Sequence, residues 1–527
     1  MKRFIKIIIY LFSLLLINNI SAQPPEIAWQ LSLGDTFDDF AFKMITTKDK
    51  GLLILSSTVP LTDTLHGFDG GDIKLYKLDK DRKVEWSKVW RGHNTEKPID
   101  ACQTEDGFLV VAYSNSSDLD FSENYGLNDI WILKLTSTGD LLWKKNYGGS
   151  GHDSPQRVIA TSEQHFIVVA NTNSIDHDIQ NLYGGGDTWL FEIDDMGEIL
   201  RSKNFGGSNN DHLSDALLLD NGNLILVGGS ASNDLDVPQN SGETDGWVLE
   251  LDEDWNVITS RTYGGSKVDF LSSVEIATDG FIIGGTSYSE NAGMPSNSEL
   301  SNSNVWLLKL NDFRSKVWSK LYGGSKLEYT SKIEYFNDQI ILFGNTISND
   351  GDISYLTGLS GSFWLLLLDR NGNIIWEKTL GGSEGESGRD LLITELGEIL
   401  LLGESESKDG DLPLTPNIPY NKNIWLVGLT SIFPDTLANS CNDFILAPNP
   451  ITLDQSLQFH FPEAVSLPVQ LDYFDTMGKK IGATQQAELI GQNPEIDLPR
   501  QLASGTYFLQ LTTSQNVCIQ KLVVIDY

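Results

Sequence analysis

Cysteine is scarce in this chain. Cys102, Cys441 and Cys518 are the only three in 527 residues, too few for a disulfide scaffold. Cys441 and Cys518 share the terminal segment, and the sequence leaves open whether they pair after export, whereas Cys102 reads as a small buried apolar residue. Basic residues are also few: 37 Lys and Arg stand against 72 Asp and Glu, a net charge of −35. So acidic a surface repels phosphate backbones and anionic lipid heads, which argues against nucleic acid as a partner. Beyond the N-terminus no stretch reaches the roughly 18 apolar residues of a transmembrane helix. The seven histidines, His66, His93, His152, His165, His177, His212 and His460, form no His-Glu-x-x-His pair or other metal spacing. No Gly-x-Ser-x-Gly nucleophile elbow is present.

The first residues belong to targeting, not to the fold. Lys2, Arg3 and Lys6 precede an apolar run from Ile7 to Ile17, and Ser21-Ala22 offers a small-residue cleavage site. This is the pattern of a signal peptide over residues 1–22, cut between Ala22 and Gln23.

What the chain has in abundance is one short turn. Tyr147-Gly-Gly-Ser150 recurs at Phe205, Tyr263, Tyr322 and Leu380, with steps of 58, 58, 59 and 58 residues. Degenerate copies begin at Trp90 and Leu33, each 57 residues upstream of the next. Seven copies at a fixed period mark a repeat architecture. These are not phosphate loops, because the Gly-Lys-Ser/Thr ending is missing. Between Gly265 and Tyr322 four apolar, alternating segments appear: Leu271 to Ala277, Phe281 to Thr286, Val305 to Leu310 and Lys316 to Tyr322. Four short strands per unit of this length predict one propeller blade with a long loop.

The third strand of six units carries a tryptophan, Trp131, Trp189, Trp247, Trp306, Trp364 and Trp425, with Lys74 in the first unit. Runs such as Trp364 to Leu368 are apolar on both faces, as expected of a strand sandwiched between blades. The seventh unit ends after its third strand at Leu429, while an unpaired fourth-strand pattern, Ile27 to Leu33, begins the mature chain. The expected fold is therefore all-β: a seven-bladed propeller over residues 24–431 whose N-terminal strand closes the last blade, followed by a linker (432–442) and a small β-sandwich (443–527).

On Trp318-x-Lys-x-Tyr-Gly-Gly-Ser325, Thr278-Asp-Gly280 and Trp364-(Leu)4-Asp369, the units resemble the Gly-Gly-Ser repeat propellers of secreted and surface proteins of the Bacteroidota. They are more distantly similar to pyrroloquinoline-quinone-like propellers, on Leu368 to Trp376. The adjacent cysteines common in quinoprotein dehydrogenases are absent, and a propeller by itself hosts many activities. The terminal segment resembles the C-terminal sorting domain of the type IX secretion system. The matching residues are Pro448-Asn449-Pro450, Gly478-Lys479, Gly505, Tyr507 and Lys521. That resemblance implies a partner, the type IX machinery, and a destination outside the outer membrane.

Two sets of acids are candidate sites. Three residues after each turn's Ser position stand Asp39, Glu96, Asp153, Asp211, Asp269, Glu328 and Glu386. They read either as an acidic ring attracting cations or a basic partner, or as carboxylates stapling the backbone of their own turns. Repetition in all seven units favours the staple. In the loop after the second strand, Asp-x-Asp recurs as Asp118/Asp120, Asp176/Asp178, Asp234/Asp236, Asp350/Asp352 and Asp409/Asp411, with Asp129, Asp187 and Asp245 at the twelfth position of the first three loops. Positions 1, 3 and 12 are those of acids in calcium loops. The position-6 glycine and flanking helices are missing, and Asn304, Ser362 and Asn423 replace the terminal acid elsewhere, which favours hydrogen bonding to a turn. No cofactor other than structural calcium is suggested. The functional expectation is a secreted or surface-associated, non-catalytic propeller that binds a protein or glycan. The alternative is a secreted polysaccharide-active hydrolase or lyase.

Overall fold

A computed structural model describes residues 24–34, 38–59, 71–161, 164–289, 303–312, 314–358, 360–394, 397–412 and 422–430. In the terminal segment it describes 445–447, 451–452, 456–460, 465–475, 480–491, 494–499, 502, 505–512 and 517–525. The expected signal peptide and Cys441 lie outside the described residues.

Seven four-stranded antiparallel sheets follow one another along the chain. Blades 1 to 6 span 38–90, 96–147, 153–205, 211–263, 269–322 and 328–380. Blade 7 takes Glu386–Ile393, Ile399–Ser405 and Asn423–Leu429, and its fourth strand is Ile27–Leu33 from the start of the chain. Ile27 pairs with Leu429 and Leu33 with Ile424, antiparallel. In blade 5 the strands run Asp269–Ala277, Gly280–Ser287, Asn304–Leu310 and Lys316–Tyr322, within two residues of the sequence expectation at every end. The first strands of neighbouring blades touch one another around the axis, blade 7 against blade 1 included, so the ring is closed.

The third strands form the packing layer. All six tryptophans are buried, 3% exposed at most, and each packs across a blade boundary. Trp131 of blade 2 sits with Leu53, Leu55, Ile73 and Leu75 of blade 1. Burying each ring contributes on the order of 1.5–3 kcal/mol. In blade 1 Lys74 replaces the ring; it is buried, and its Nζ lies 3.3 Å from Asp39 Oδ1. Across the closing boundary Ala41, Met44 and Leu52 of blade 1 pack on Leu33, Leu400, Leu402, Ile424 and Leu426 of blade 7.

Every first strand carries a β-bulge at the same place, between Ala41/Lys43, Pro98/Asp100, Pro155/Arg157, Leu213/Asp215, Leu271/Ser273, Thr330/Lys332 and Gly388/Asp390. A bulge re-aims the side chain and sharpens the twist; here it does so seven times around the axis.

The terminal segment holds a three-stranded and a five-stranded sheet. Leu457, Phe459 and Ile496 of the first share one core with Leu471, Tyr473, Leu489 and Leu509 of the second, a small sandwich.

Candidate functional site

The seven repeated acids are buried, from 0% exposed at Asp39 to 5% at Glu386, and face inward onto their turns. At the turn entering blade 3, five successive backbone N–H groups donate to side-chain oxygens: Gly148 to Asp178 Oδ2 (3.1 Å), Gly149 to Asp153 Oδ2 (2.8 Å), Ser150 to Asp176 Oδ1 (2.7 Å), Gly151 to Ser174 Oγ (2.8 Å) and His152 to Asn173 Oδ1 (2.6 Å). Thr172 and Ser174 donate their hydroxyls to Asp153. Such a cluster of donors is what a buried carboxylate requires. The close wrap also explains the second glycine: a Cβ on Gly149 would meet Asp176 Oδ1 at 2.6 Å and Ser174 Cβ at 2.7 Å.

The clamp repeats. Gly206, Gly207 and Ser208 donate to Asp236, Asp211 and Asp234; Gly323, Gly324 and Ser325 donate to Asp352, Glu328 and Asp350. Gly381, Gly382 and Ser383 donate to Asp411, Glu386 and Asp409. In blade 2 Arg91 and His93 donate to Asp120 and Asp118, and Glu96 takes the hydroxyls of Ser114 and Ser116. At blade 5 Gly265 donates to Asp269. Burial raises the pKa of Glu96, Asp153, Glu386, Asp178, Asp236 and Asp352. The exposed Asp176 and Asp350 go the other way, held down by the Ser150 and Ser325 amides.

The twelfth-position acids occupy a third place. Asp129, Asp187 and Asp245 are buried and accept the N–H groups of Tyr125, Tyr183 and Ser241 four residues upstream. Burial, with the neighbouring Asp153, Asp211 and Asp269, pushes each up to about 6. Among the described residues their Oδ1 atoms have no hydrogen-bond partner. The loop acids are thus distributed over separate backbone amides, and among the described residues no group of three His, Cys, Asp or Glu is arranged to hold a metal ion.

A second set, charged in six of the seven blades, was hidden in the sequence. Four residues after each clamp acid stand Lys43, Asp100, Arg157, Asp215, Ser273, Lys332 and Asp390, all at the bulges of the first strands. Ring closure makes neighbours of them. Arg157 lies 3.6 Å from Asp100 and 3.3 Å from Asp215; Lys332 lies 3.6 Å from Asp215 and 3.0 Å from Glu275; Lys43 lies 3.3 Å from Asp390. The acids also accept amides of the next blade: Asp100 from Val158, Asp215 from Val274, Asp390 from Met44. Nearby, burial and then Glu275 push Glu334 up to about 8. These charges stitch the axis together by salt bridges and hydrogen bonds from backbone amides, so each ion has the partner that burial demands.

In the terminal segment, Gly505, Tyr507 and Lys521 lie on paired strands, Gly505–Thr512 and Val517–Ile525, with Tyr507 opposite Leu522 and Phe508 opposite Lys521. Pro448, Asn449, Pro450, Gly478 and Lys479 lie outside the described residues. Residues 446–525 match the family of secretion system C-terminal sorting domains. This segment is similar to the sorting domains read by the type IX system. It implies interaction with the type IX machinery and passage across the outer membrane. No helix among the described residues is long and apolar enough to cross a membrane.

No curated protein matches the chain. Solved structures resemble it only loosely. A puromycin hydrolase mutant is 12% identical with a TM-score of 0.42, covering 73% of this chain and 53% of its own, so the chain spans about half that enzyme's length. A mutant of the Synechocystis apocarotenoid oxygenase is 11% identical with a TM-score of 0.37, covering 78% and 95%. A GH32 β-fructofuranosidase of Bombyx mori is 10% identical with a TM-score of 0.27, covering 70% and 89%. Likeness at this level carries nothing about activity to this chain.

Proposed function

We propose that the protein is an exported, non-catalytic propeller that presents one rigid face to a protein or glycan outside the cell. The observation that carries this reading is the carboxylate clamp. In five blades it pins the long loop after the second strand to the turn entering that blade through several side-chain-to-amide bonds. Loops fixed in this way hold their exposed side chains in register, which is how a binding surface avoids the entropy loss of ordering itself on contact. The repeated acids are engaged with amides and hydroxyls and the axial charges with one another, which supports a scaffold role for both sets.

Two experiments test it. Deleting residues 443–527 should leave a folded propeller in the periplasm; normal levels of the truncated protein in the medium would contradict export through the sorting domain. Purified mature protein should bind a component of a glycan or protein panel without turnover. Hydrolysis or lysis of a polysaccharide, abolished by one carboxylate substitution, would replace this reading with that of a polysaccharide-active enzyme.

A further inference from the structure

The loops after the second strands share one turn, Ser-x-Asp-x-Asp-apolar, in blades 2, 3, 4, 6 and 7. In each the amide of the second Asp donates to the carbonyl of the clamped turn, as Asp178 to Gly148 and Asp352 to Gly323. The residue between the two acids must adopt positive φ. In blades 6 and 7 it is glycine, Gly351 (φ 68°) and Gly410 (φ 70°), as sterics favour. In blades 2, 3 and 4 it is Leu119 (φ 50°), His177 (φ 55°) and Leu235 (φ 54°). Bulky side chains rarely tolerate this conformation. The strain returns nothing to the core: Leu119 is 61% exposed and Leu235 67% exposed, while the next apolar residues, Phe121, Ile179 and Val237, are the ones buried. Hairpin turns of this fold also carry non-glycine residues at positive φ, Arg82 and Arg314 among them, where other blades have Gly139 and Gly372. What sets Leu119 and Leu235 apart is exposed apolar surface on such a backbone, and that combination points to function.

The three strained residues occupy the same loop position in three successive blades. Tyr125 of blade 2 stacks on His177 of blade 3, with ring centroids 4.6 Å apart and planes at 11°. Tyr183 holds the equivalent position one blade on, where burial and then Asp236, a neighbour of Leu235 in sequence, raise its hydroxyl pKa. Ile175 adds a further exposed aliphatic side chain. The three loops, 115–128, 173–186 and 231–244, contain eight Asp and Glu and no Lys or Arg. Arg91 and Lys267 flank the strip at its two ends, on the clamped turns, and Lys144, on an outer strand, is bound to the Asp120 carbonyl. Aliphatic side chains favour an apolar partner over stacked sugar, and the surrounding acids favour a cationic one.

We infer that this strip over blades 2 to 4 is a docking site for a polypeptide segment that alternates apolar and basic side chains. The inference rests on the binding-module reading and names its site and ligand class. The test uses the mature full-length protein and its Leu119→Gly/His177→Gly/Leu235→Gly variant, which keeps every acid. The probes are a synthetic alternating Leu–Lys peptide, its Leu–Glu counterpart and a panel of neutral polysaccharides. The Leu–Lys peptide should bind the wild type and lose at least about tenfold in affinity for the variant, the Leu–Glu peptide should not bind, and the variant should melt at or above the wild-type temperature. Equal binding of Leu–Lys to both proteins, or no binding to either, would overturn the site assignment and leave the binding-module reading standing. A neutral polysaccharide lost on mutation would make the strip a glycan site instead. A lower melting temperature of the variant would show the side chains to be structural, against the inference. Turnover of a polysaccharide by the wild type would overturn the broader reading alone.

Discussion

The Trp425 indole donates its Nε1–H to Gln30 Oε1 at 2.9 Å, across 395 residues of sequence. In blades 3, 4 and 5 the same indole bond runs within a single hairpin, Trp189 to Ser202, Trp247 to Ser260 and Trp306 to Ser319, 2.7–2.9 Å. The N-terminal strand therefore replaces a fourth strand down to its side-chain hydrogen bond. Trp29 adds a bond to Glu398, and Arg82 of blade 1 reaches the same carboxylate.

Removing Pro24 to Leu33 should consequently weaken the entire ring. Blade 7 loses its edge partner, and the apolar surface of Leu33, Trp29 and Leu31 against Leu400 to Leu426 is uncovered. The expected result is a markedly lower melting temperature with all blades melting together. An unchanged melting temperature would show that the clasp does not close the propeller energetically.

The clamp predicts a graded series. Asp153→Ala strips acceptors from the Gly149 amide and the Thr172 and Ser174 hydroxyls, and each buried donor left alone costs about 1–3 kcal/mol. The loss should be about 3 kcal/mol or more by denaturant unfolding. Asp176→Ala removes one exposed acceptor, from Ser150, which water can replace, and should cost clearly less. Equal losses for the two would contradict the difference in burial.

How far the chain reveals this arrangement depends on symmetry. The blades and the Trp layer are legible because the same residue types recur at one period, and because a strand apolar on both faces has only one place to go. The clamp is half legible. Asp153 and Asp176 each repeat visibly, but they act on the same turn from a strand and from a loop, and only folding shows three carboxylates on three successive amides. The axial charges are the opposite case. Lys43, Asp100, Arg157, Asp215 and Lys332 share a position but not a charge, so no motif repeats, and their complementarity exists only once the blades stand side by side.

Calcium gives a direct test of the loop acids. Positions 1 and 3 of these loops hold the amides of a turn, and position 12 holds another amide upstream. Oxygen atoms so engaged, with no cluster of three metal-ligating side chains among the described residues, leave little coordination for a cation that takes six to eight oxygens. Millimolar calcium and a chelator should both leave the melting temperature unchanged. A rise with calcium, together with a heat of binding, would establish a metal site, since a ligand selective for the folded state must stabilise it.

The last expectation concerns pH, and its sign follows from burial. Asp129, Asp187 and Asp245 lie beside Asp153, Asp211 and Asp269 with one oxygen unpartnered among the described residues, and burial raises each from 3.8 to about 6. A folded-state pKa above the unfolded one means that the native protein holds protons the unfolded chain has released. This contribution is therefore fully present below about pH 4 and is lost as pH rises through about 6, by up to about 3 kcal/mol per site. Blades 5 and 7 place Asn304 and Asn423 at the same position, neutral at every pH. The triple variant Asp129→Asn/Asp187→Asn/Asp245→Asn should thus match the wild type near pH 4 and exceed it in unfolding free energy at pH 8, the gap opening between about pH 4 and 6. A gap independent of pH, or a variant less stable at pH 8, would mean that these carboxylates are ionised in the folded protein and that an amide cannot take their place.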